Sequence, residues 1–350
     1  MTCGAAVTTP IIPNGSRRLL FITVTPNPAW DVTYEVPALV PGEVHRVTRV
    51  HRRLGGKGVN VARVLAGLGR DAVAVMPGPG GLAAEAGFGG AAEAGSSAGE
   101  GAEPLLVCDV VPGLPAIRQT LVVHGGDGIT TSLWEPGVEP DTGTAARLAG
   151  RIRAWLRGDA SAGADAPPAA SGFVSSGSLP PGLDSRVHAR LATMALEAGV
   201  PALVDTSGEA LAHAAAVPGV VLAPNASELA QLAGTACDGL AEAVTAARAV
   251  LSGGPRAVVV TLGEDGLVVV TGSGAWHGRL ARPLAGNPTG AGDAAAAALI
   301  AGLADKASWP DIVRDAVALS AAAVLSPVAG EVSPADFARL RADVAIREVA

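Results

Sequence analysis

The chain has 350 residues, of which 49% are hydrophobic and only 16% are charged, so it can bury one large core or two unequal ones. This composition excludes a chain that is disordered throughout. The formal net charge of -7 excludes a general electrostatic attraction to nucleic acid or to an anionic membrane, so any anion has to be bound locally.

Cysteine usage and hydropathy restrict the location of the protein. Cys3, Cys108 and Cys237 are far apart and lack metal-ligand spacing, and the six histidines form no HExxH pair. No apolar stretch approaches the roughly 20 residues of a membrane-spanning helix. Residues 1–18 lack the apolar centre of a signal peptide and are predicted to be an N-terminal tail. We therefore expect no nucleic-acid partner, no membrane partner and a location in the reducing cytoplasm.

The first part of the chain predicts a strand, a helix and a second strand. LLFITVT (residues 19–25) is a short apolar run, KGVNVARVLAGLG has helical periodicity from Lys57 onward, and DAVAVM is again strand-like. Further apolar runs alternate with helical patterns. The runs are SGFVSSGS, PALVDT, GVVLAPN and RAVVVTLG, and the helical patterns cover residues 184–198, 207–216 and 225–252. This alternation predicts an α/β fold with a mainly parallel central sheet covered by helices.

Two segments interrupt this alternation. Residues 32–53 and 117–135 alternate apolar with polar residues and contain turn signals, which is typical of antiparallel strands. We expect them to form a small second sheet that serves as a lid or as a dimer contact, with ordinary edge strands of the main sheet as the alternative. Residues 78–104 and 157–172 are rich in Gly, Ala and Ser and are predicted to be loops or poorly specified helices.

A glycine-rich segment, RRLGGKGVNVARVL, leads into the first predicted helix. Gly55, Gly56 and Gly58 allow the backbone to approach a ligand closely, while Lys57 and Asn60 present hydrogen-bond donors at the helix start. Such a loop suits an anionic or polyhydroxylated ligand, and a glycine turn with an exposed Lys is the alternative. The segment is not a Walker A sequence, and it does not follow the strand, glycine loop, helix order of a dinucleotide fold.

Two single residues are candidates for contacts with the same ligand. Asp31 follows a strand and a proline-containing turn, where its carboxylate can accept hydrogen bonds from two sugar hydroxyls. A turn-stabilising Asp is an equally ordinary interpretation. Arg118 begins the second lid-like segment, and its forked guanidinium can bind a phosphate through two parallel hydrogen bonds.

Two later segments are candidates for a nucleotide and its metal ion. In APNASEL, Asn225 and Glu228 are three residues apart at a helix start, so both can face one site and hold a hydrated Mg²⁺. The same spacing is typical of a capping box. In VVTLGEDG, a buried strand ends near Thr261 in a turn bracketed by Gly263 and Gly266, where a nucleotide can lie against the backbone. A plain hairpin turn is the alternative.

Asp293 lies in NPTGAGDAAAAALIAGL (residues 287–303), where a run of alanines favours a helix. One interpretation is that Asp293 caps this helix. The other is that the backbone amides of Gly290, Ala291 and Gly292 form a site for a phosphate or a developing oxyanion, beside which Asp293 acts as a general base. The second interpretation requires the Asp293 loop and the Lys57 loop to converge on one cleft.

The ordered set of motifs resembles the PfkB, or ribokinase-like, carbohydrate kinases, and is most similar to their 1-phosphofructokinase and tagatose-6-phosphate kinase branch. The motifs are TPNPAWD, GGKGVNVARVLAGLG, SGSLPPG, VDTSGEAL, PNASEL, VTLGEDG and NPTGAGDA, spread over about residues 19–330. The resemblance implies a ribokinase-like sandwich with a mainly parallel central sheet and a small β lid, in a single kinase domain over residues 19–342. Residues 343–350 would then be a C-terminal tail. It also implies ATP and Mg²⁺ as cofactors and a homodimer formed through the β lid.

The resemblance further implies a role for individual residues. Asp293 corresponds to the proton acceptor, and the amides of Gly290, Ala291 and Gly292 correspond to the anion hole. The substrate positions correspond to Asp31, Gly55, Gly56, Lys57, Asn60 and Arg118. The nucleotide positions correspond to Asn225, Thr261, Gly263 and Gly266, and the metal-linked position corresponds to Glu228.

The sequence therefore predicts an ATP-dependent kinase that converts fructose 1-phosphate to fructose 1,6-bisphosphate, with Asp293 as the general base. The alternatives are a tagatose-6-phosphate or fructose-6-phosphate kinase, a kinase for a free sugar or nucleoside, and a sugar-phosphate binding protein with impaired catalysis. Two of the departures from the family pattern motivate the last alternative, the binding protein with impaired catalysis. Ala223 replaces a Lys that the family places near the ATP phosphates, and Trp134 replaces an Asn at the lid.

Overall fold

The computed structural model of the protein describes residues 19–87, 104–158, 170–282, 284–326 and 328–349. The predicted tail at residues 1–18 lies outside these residues, as do residues 88–103 and 159–169 of the two Gly- and Ala-rich segments. No helix in the described part combines the length and the apolar character that crossing a membrane requires.

The described residues form fourteen strands and ten α-helices. The strands are β1 (Leu20–Val24), β2 (Ala29–Val36), β3 (Arg49–Gly55), β4 (Asp71–Gly78), β5 (Leu106–Pro112), β6 (Arg118–Gly125), β7 (Thr130–Trp134), β8 (Ala170–Ser176), β9 (Ala202–Asp205), β10 (Val221–Leu222), β11 (Ala257–Thr261), β12 (Leu267–Thr271), β13 (Gly274–Leu280) and β14 (Val344–Val349). The helices are α1 (Lys57–Gly67), α2 (Leu82–Glu85), α3 (Thr144–Arg157), α4 (Val187–Glu197), α5 (Gly208–Ala215), α6 (Ala226–Ala233), α7 (Leu240–Leu251), α8 (Ala291–Ala304), α9 (Trp309–Val324) and α10 (Pro334–Asp343).

Ten strands form the main sheet, in the spatial order β14-β13-β12-β11-β10-β9-β8-β1-β4-β5. The seven adjacent strands β11-β10-β9-β8-β1-β4-β5 pair in parallel. Beyond β11, the strands β12, β13 and β14 extend the sheet in antiparallel pairs. This arrangement confirms the predicted α/β fold with a mainly parallel sheet.

Helices cover both faces of the main sheet, which explains why its parallel strands are almost continuously apolar. In β1, Phe21 packs into the hydrophobic cluster on one face, whereas Leu20 and Ile22 pack into the cluster on the other. Helix α8 is buried along almost its whole length, including its run of alanines. A helix that is apolar all round belongs inside a core, and here the first turn of that helix lies at the candidate site.

Four strands form a second, smaller sheet in the order β3-β2-β6-β7, which confirms the predicted small sheet. We refer to this sheet as the lid. The pairs β2–β3 and β6–β7 are antiparallel as predicted, but β2 and β6, which join them, are parallel. The reason is topological. β2 follows β1 and β6 follows β5, and these two strands of the main sheet run in the same direction.

Two sequence predictions about element boundaries are wrong. Residues 343–350 were predicted to be a tail, but β14 pairs antiparallel with β13 and forms the edge of the main sheet. The backbone groups of β13 would otherwise lack partners at that edge. The helical pattern at 225–252 is two helices, because Gly234 ends α6 in a left-handed conformation and α7 begins only at Leu240.

Candidate active site

The carboxyl ends of parallel strands bring several polar residues to one edge of the main sheet. β1 leads into the turn that contains Asn27, β9 ends at Asp205, and β11 ends at Thr261. Helices α1 and α8 pack against each other on one face of this sheet, and their first turns carry Lys57 and Asp293. In open α/β sheets, ligands bind beyond this edge of the strands.

Asn60 and Asp293 are in direct contact, which shows that the Lys57 loop and the Asp293 loop come together. Asn60 Nδ2 donates a 2.9 Å hydrogen bond to Asp293 Oδ2. Both residues are buried, with 4% and 5% of their surface exposed. Gly290 is the N-cap residue of α8, and no side chain makes a capping hydrogen bond there. The interpretation of Asp293 as a helix cap is therefore wrong.

The environment of Asp293 tunes its acidity. Burial raises the pKa of Asp293 to about 7, and this effect exceeds the opposing effects of the Lys57 charge and of the hydrogen bond from Asn60. The carboxylates of Asp205 and Asp31 raise the pKa further. A carboxylate with a pKa near neutrality exchanges protons readily at physiological pH, which is the property that a general base requires.

Lys57 is held by an acidic residue that the sequence analysis did not select. Its Nζ lies 2.7 Å from Asp205 Oδ1 in a salt bridge. Burial alone would lower the pKa of Lys57, but the charges of Asp205 and Asp293 outweigh it and raise the pKa above its usual value. Lys57 therefore stays cationic. The sequence feature that could have pointed to Asp205 is its position as a carboxylate at the end of a short apolar strand, PALVDT.

The glycines before α1 allow a close approach by Asp31. A Cβ atom at Gly55 would lie only 1.9 Å from Asp31 Oδ2, so only glycine fits there. Gly56 is the N-cap residue of α1. Thr120 donates a 2.5 Å hydrogen bond to Asp31 Oδ1. The sugar-binding candidate Asp31, on lid strand β2, is thus held between Thr120 of β6 and the glycine loop.

Arg118 lies next to Asp31 at the base of the lid. Its Nη1 donates a 2.8 Å hydrogen bond to the carbonyl of Glu135, and its buried Nε has no partner among the described residues. Burial lowers the pKa of Arg118, and the nearby carboxylates of Asp31 and Glu135 oppose that effect. Part of this guanidinium remains without an acceptor at the position where a phosphate was predicted.

The backbone of the predicted anion hole is only partly available. The amide of Ala291 donates a 3.2 Å hydrogen bond to the carbonyl of Pro288, so its predicted contact with an anion would require this bond to break. Gly290 has a left-handed backbone with φ of 86°, and a Cβ there would lie 2.8 Å from Ala329 Cβ. The amides of Gly290 and Gly292 are therefore the remaining candidates for binding an anion. The packing of Ala329 against Gly290 requires a glycine at the start of this turn.

The metal candidates form the capping box that was the alternative interpretation. Asn225 Oδ1 accepts from the amide of Glu228, and Glu228 Oε2 accepts from the amide of Asn225, both at 2.9 Å. Burial raises the pKa of Glu228, the Lys57 charge lowers it, and Asp205 raises it. In the described part of the chain, no three His, Cys, Asp or Glu residues are grouped to hold a metal ion. Mg²⁺ in proteins keeps several water ligands and also binds substrate phosphates, so a single carboxylate can be enough to hold it. Glu228 fits this role because its Oε1 takes no part in the capping box.

The predicted nucleotide turn adjoins this capping box. Asn225 and Thr261 form an isolated parallel β-bridge, which places the start of α6 beside the end of β11. The residues Gly263–Asp265 form a 3-10 turn between the antiparallel strands β11 and β12, so the hairpin alternative is observed. A Cβ at Gly266 would lie 2.0 Å from the carbonyl of Gly278, so packing explains this glycine. Gly263 faces open space.

Two buried polar residues that support the site were missed by the sequence analysis. Asn27 Nδ2 donates to the carbonyl of Pro136 at 3.0 Å and to Ser178 Oγ at 3.2 Å, which ties the lid to the loop after β8. His188 Nε2 donates to the carbonyl of Gly177 at 3.1 Å, and burial lowers the pKa of His188 to about 4. Asn27 could have been selected from the sequence because it lies in the turn after a predicted strand. His188 lies within a helix, and nothing in the neighbouring sequence marks it as part of the site.

Comparison with known proteins identifies the family. Residues 155–336 match the pfkB family of carbohydrate kinases. The 1-phosphofructokinase of Xanthomonas campestris is 33% identical to this chain, over 82% of the chain and 85% of the relative. This chain belongs to the PfkB family of carbohydrate kinases. The 1-phosphofructokinase of Rhodobacter capsulatus is 32% identical, over 90% of this PfkB kinase and 92% of the relative.

A solved structure gives the same result for the fold. Phosphofructokinase-2 from Escherichia coli, in complex with potassium, is 27% identical and superimposes with a TM-score of 0.75, over 93% of this chain and 98% of that chain. The predicted family and the predicted ribokinase-like fold are therefore confirmed, and this PfkB protein is a sugar kinase.

Proposed function

We propose that this kinase transfers the γ-phosphoryl group of ATP to the 6-hydroxyl of fructose 1-phosphate, forming fructose 1,6-bisphosphate and ADP. The observation that carries the proposal is the contact between Asn60 and Asp293 beside the Lys57 cation. Two relatives of more than 30% identity are named 1-phosphofructokinases, which supports the choice of sugar.

The chemical step needs a base beside the sugar hydroxyl. The ionised form of Asp293 accepts the proton of the 6-hydroxyl while the hydroxyl oxygen attacks the γ-phosphorus, and the bond from that phosphorus to the bridging oxygen of ADP breaks. Asn60 donates to one carboxylate oxygen of Asp293 and thereby directs the other toward the substrate. Alignment supplies a large share of the rate acceleration in such a reaction.

Positive charge and backbone amides stabilise the phosphoryl group as it moves. Lys57, the amides of Gly290 and Gly292, and the helix dipole of α8 act on the same cleft. Glu228 would hold a hydrated Mg²⁺ ion, which neutralises phosphate charge when bound. Thr261 and Gly263 would contact the nucleotide from the neighbouring strand end.

The sugar phosphate would lie under the lid. Asp31, held by Thr120, accepts hydrogen bonds from sugar hydroxyls, and Arg118 binds the substrate phosphate with the part of its guanidinium that lacks a partner. The cationic side chain of Arg118 favours a phosphorylated sugar over a free sugar.

A substrate panel tests this function. The purified protein is incubated with ATP and Mg²⁺ and with fructose 1-phosphate, fructose 6-phosphate, tagatose 6-phosphate, free fructose or a nucleoside, and ADP release is measured. We expect the highest kcat/KM with fructose 1-phosphate. A higher value for another compound would reassign the substrate, and sugar-phosphate binding without ADP release would favour the impaired binding protein that Ala223 suggested.

We also propose that two copies associate through the lid, in the cytoplasm. The segment that joins β2 to β3 carries several exposed valines, and Val44 is 96% exposed. Exposed apolar residues grouped on one element favour a protein contact. The buried free thiols of Cys108 and Cys237 support a reducing location.

A further inference from the structure

Trp134 ends β7 and is the large side chain on the lid that is hardest to explain by packing, because 71% of its surface is exposed. Trp134 pairs directly with Thr120 on β6, and Thr120 pairs with Asp31 on β2. Residues paired across neighbouring strands point to the same face of a sheet. Trp134 therefore lies on the face of the lid that carries Asp31, the candidate for binding sugar hydroxyls.

The spacing between these residues suits a sugar. Neighbouring strands are about 4.8 Å apart, so the two-strand separation between Trp134 and Asp31 is about 10 Å along the sheet. The residue between them, Thr120, is small, and its hydroxyl is already bonded to Asp31. A monosaccharide can therefore lie over Thr120 with a carboxylate on one side and an aromatic ring on the other.

The backbone after Trp134 is tied to residues of the candidate site. The carbonyl of Glu135 accepts from Arg118 at 2.8 Å, and the carbonyl of Pro136 accepts from Asn27 at 3.0 Å. The Glu135 carboxylate also accepts from the amide of Gln119 at 2.7 Å. The anchored backbone keeps Trp134 beside these residues, and an exposed indole on the face of a binding site is typical of an aromatic ligand contact.

We propose that Trp134 is a specificity-determining residue that stacks on the apolar face of the sugar in the sugar-phosphate substrate, opposite Asp31. The proposal rests on the proposed function, because it takes its ligand from that function. Leu133, the preceding residue, points to the opposite face of β7 and is also exposed, so it is the matched control.

Equilibrium binding tests the proposal without any turnover. Fructose 1-phosphate and fructose 6-phosphate are titrated in the absence of ATP against the wild type, Trp134→Ala, Trp134→Phe and Leu133→Ala. We expect Trp134→Ala to weaken binding of the preferred sugar phosphate about five- to tenfold, and Trp134→Phe and Leu133→Ala to change it less than twofold. Sugar phosphate should also protect the wild-type fluorescence, but not that of Trp134→Phe, from acrylamide quenching.

Steady-state kinetics give a second readout. They also separate the proposed role of Trp134 from the proposed kinase function. Trp134→Ala should raise KM for the sugar phosphate by the same factor and leave KM for ATP within twofold. Unchanged sugar-phosphate affinity in folded Trp134→Ala, an equal loss in Leu133→Ala, or a change of oligomeric mass in Trp134→Ala would overturn the proposal. Sugar-phosphate binding without ADP release overturns only the kinase assignment, whereas the absence of binding to the wild type overturns both.

Discussion

The Asn60 side chain donates a 2.9 Å hydrogen bond to the Asp293 carboxylate, and the two residues are 233 positions apart in the chain. This bond joins the first turn of α1 to the first turn of α8 inside the core. It also lowers the pKa of Asp293, against the larger effect of burial, and orients the group that we propose as the base.

Replacing Asp293 by Asn should remove the base while leaving the fold intact, because Asn has nearly the same shape. We expect kcat to fall by about 10² to 10⁴, the range for loss of a general base. The measurement is ADP release at saturating substrate. Asp305→Asn, at the other end of α8, is the control and should retain activity. Normal kcat in Asp293→Asn would show that another group accepts the proton.

Replacing Asn60 by Ala should shift the pH dependence of the reaction. The Asn60 hydrogen bond lowers the pKa of Asp293, so its loss raises that pKa above the wild-type value of about 7. We expect the acidic limb of the kcat/KM profile, which reports the free enzyme, to move to higher pH. An unchanged limb in folded protein would mean that the limb reports a different group.

The raised pKa of Asp293 also predicts a stability effect. The folded-state pKa of about 7 lies above the usual value of 3.8, so the favourable contribution is complete below pH 3.8 and is lost as pH rises through 7. The loss is on the order of 4 kcal/mol at pH 8, from about 1.4 kcal/mol per pKa unit. Asp293→Asn should therefore gain stability relative to the wild type between pH 4 and pH 8, as urea unfolding would measure. A constant difference would contradict the assigned pKa.

Adding a methyl group at Gly55 should disturb substrate binding through Asp31. A Cβ there would lie 1.9 Å from Asp31 Oδ2, so Asp31 must move. We expect Gly55→Ala to raise KM for the sugar phosphate at least tenfold and to change KM for ATP much less. Gly67→Ala, in α1 with open space around its Cβ position, is the matched control and should leave both values unchanged. If the wild type, Gly55→Ala and Gly67→Ala had equal KM values, Asp31 would not be a sugar-binding residue.

Placing a charge at Val44 tests the proposed lid contact. A lysine at this exposed valine would put an unpaired cation into an apolar interface, which costs several kcal/mol. We expect Val44→Lys to be a monomer by light scattering at concentrations where the wild type is a dimer. Leu325→Lys, an exposed apolar position after α9, is the control. A wild-type monomer, or a Val44→Lys dimer of equal stability, would reject the lid interface.

The elements of this fold were predictable where the signal is local. Apolar runs marked the parallel strands, alternation marked the lid strands, and the glycine segments marked the turns at Gly56 and Gly290. The predictions failed where a distant partner decides the structure. β14 is a strand because β13 offers an open edge.

The site shows the same division. The amino-acid sequence alone determined the kind of chemistry, because glycine segments, a lysine and a carboxylate before a buried helix occur in the order of a known kinase family. Only the tertiary structure decided that Asp205 is the partner of Lys57, 148 positions away, and that Asn60 directs Asp293. Sequence patterns report short-range geometry, whereas the pKa of a buried carboxylate depends on charges and burial that exist only after distant segments have packed together.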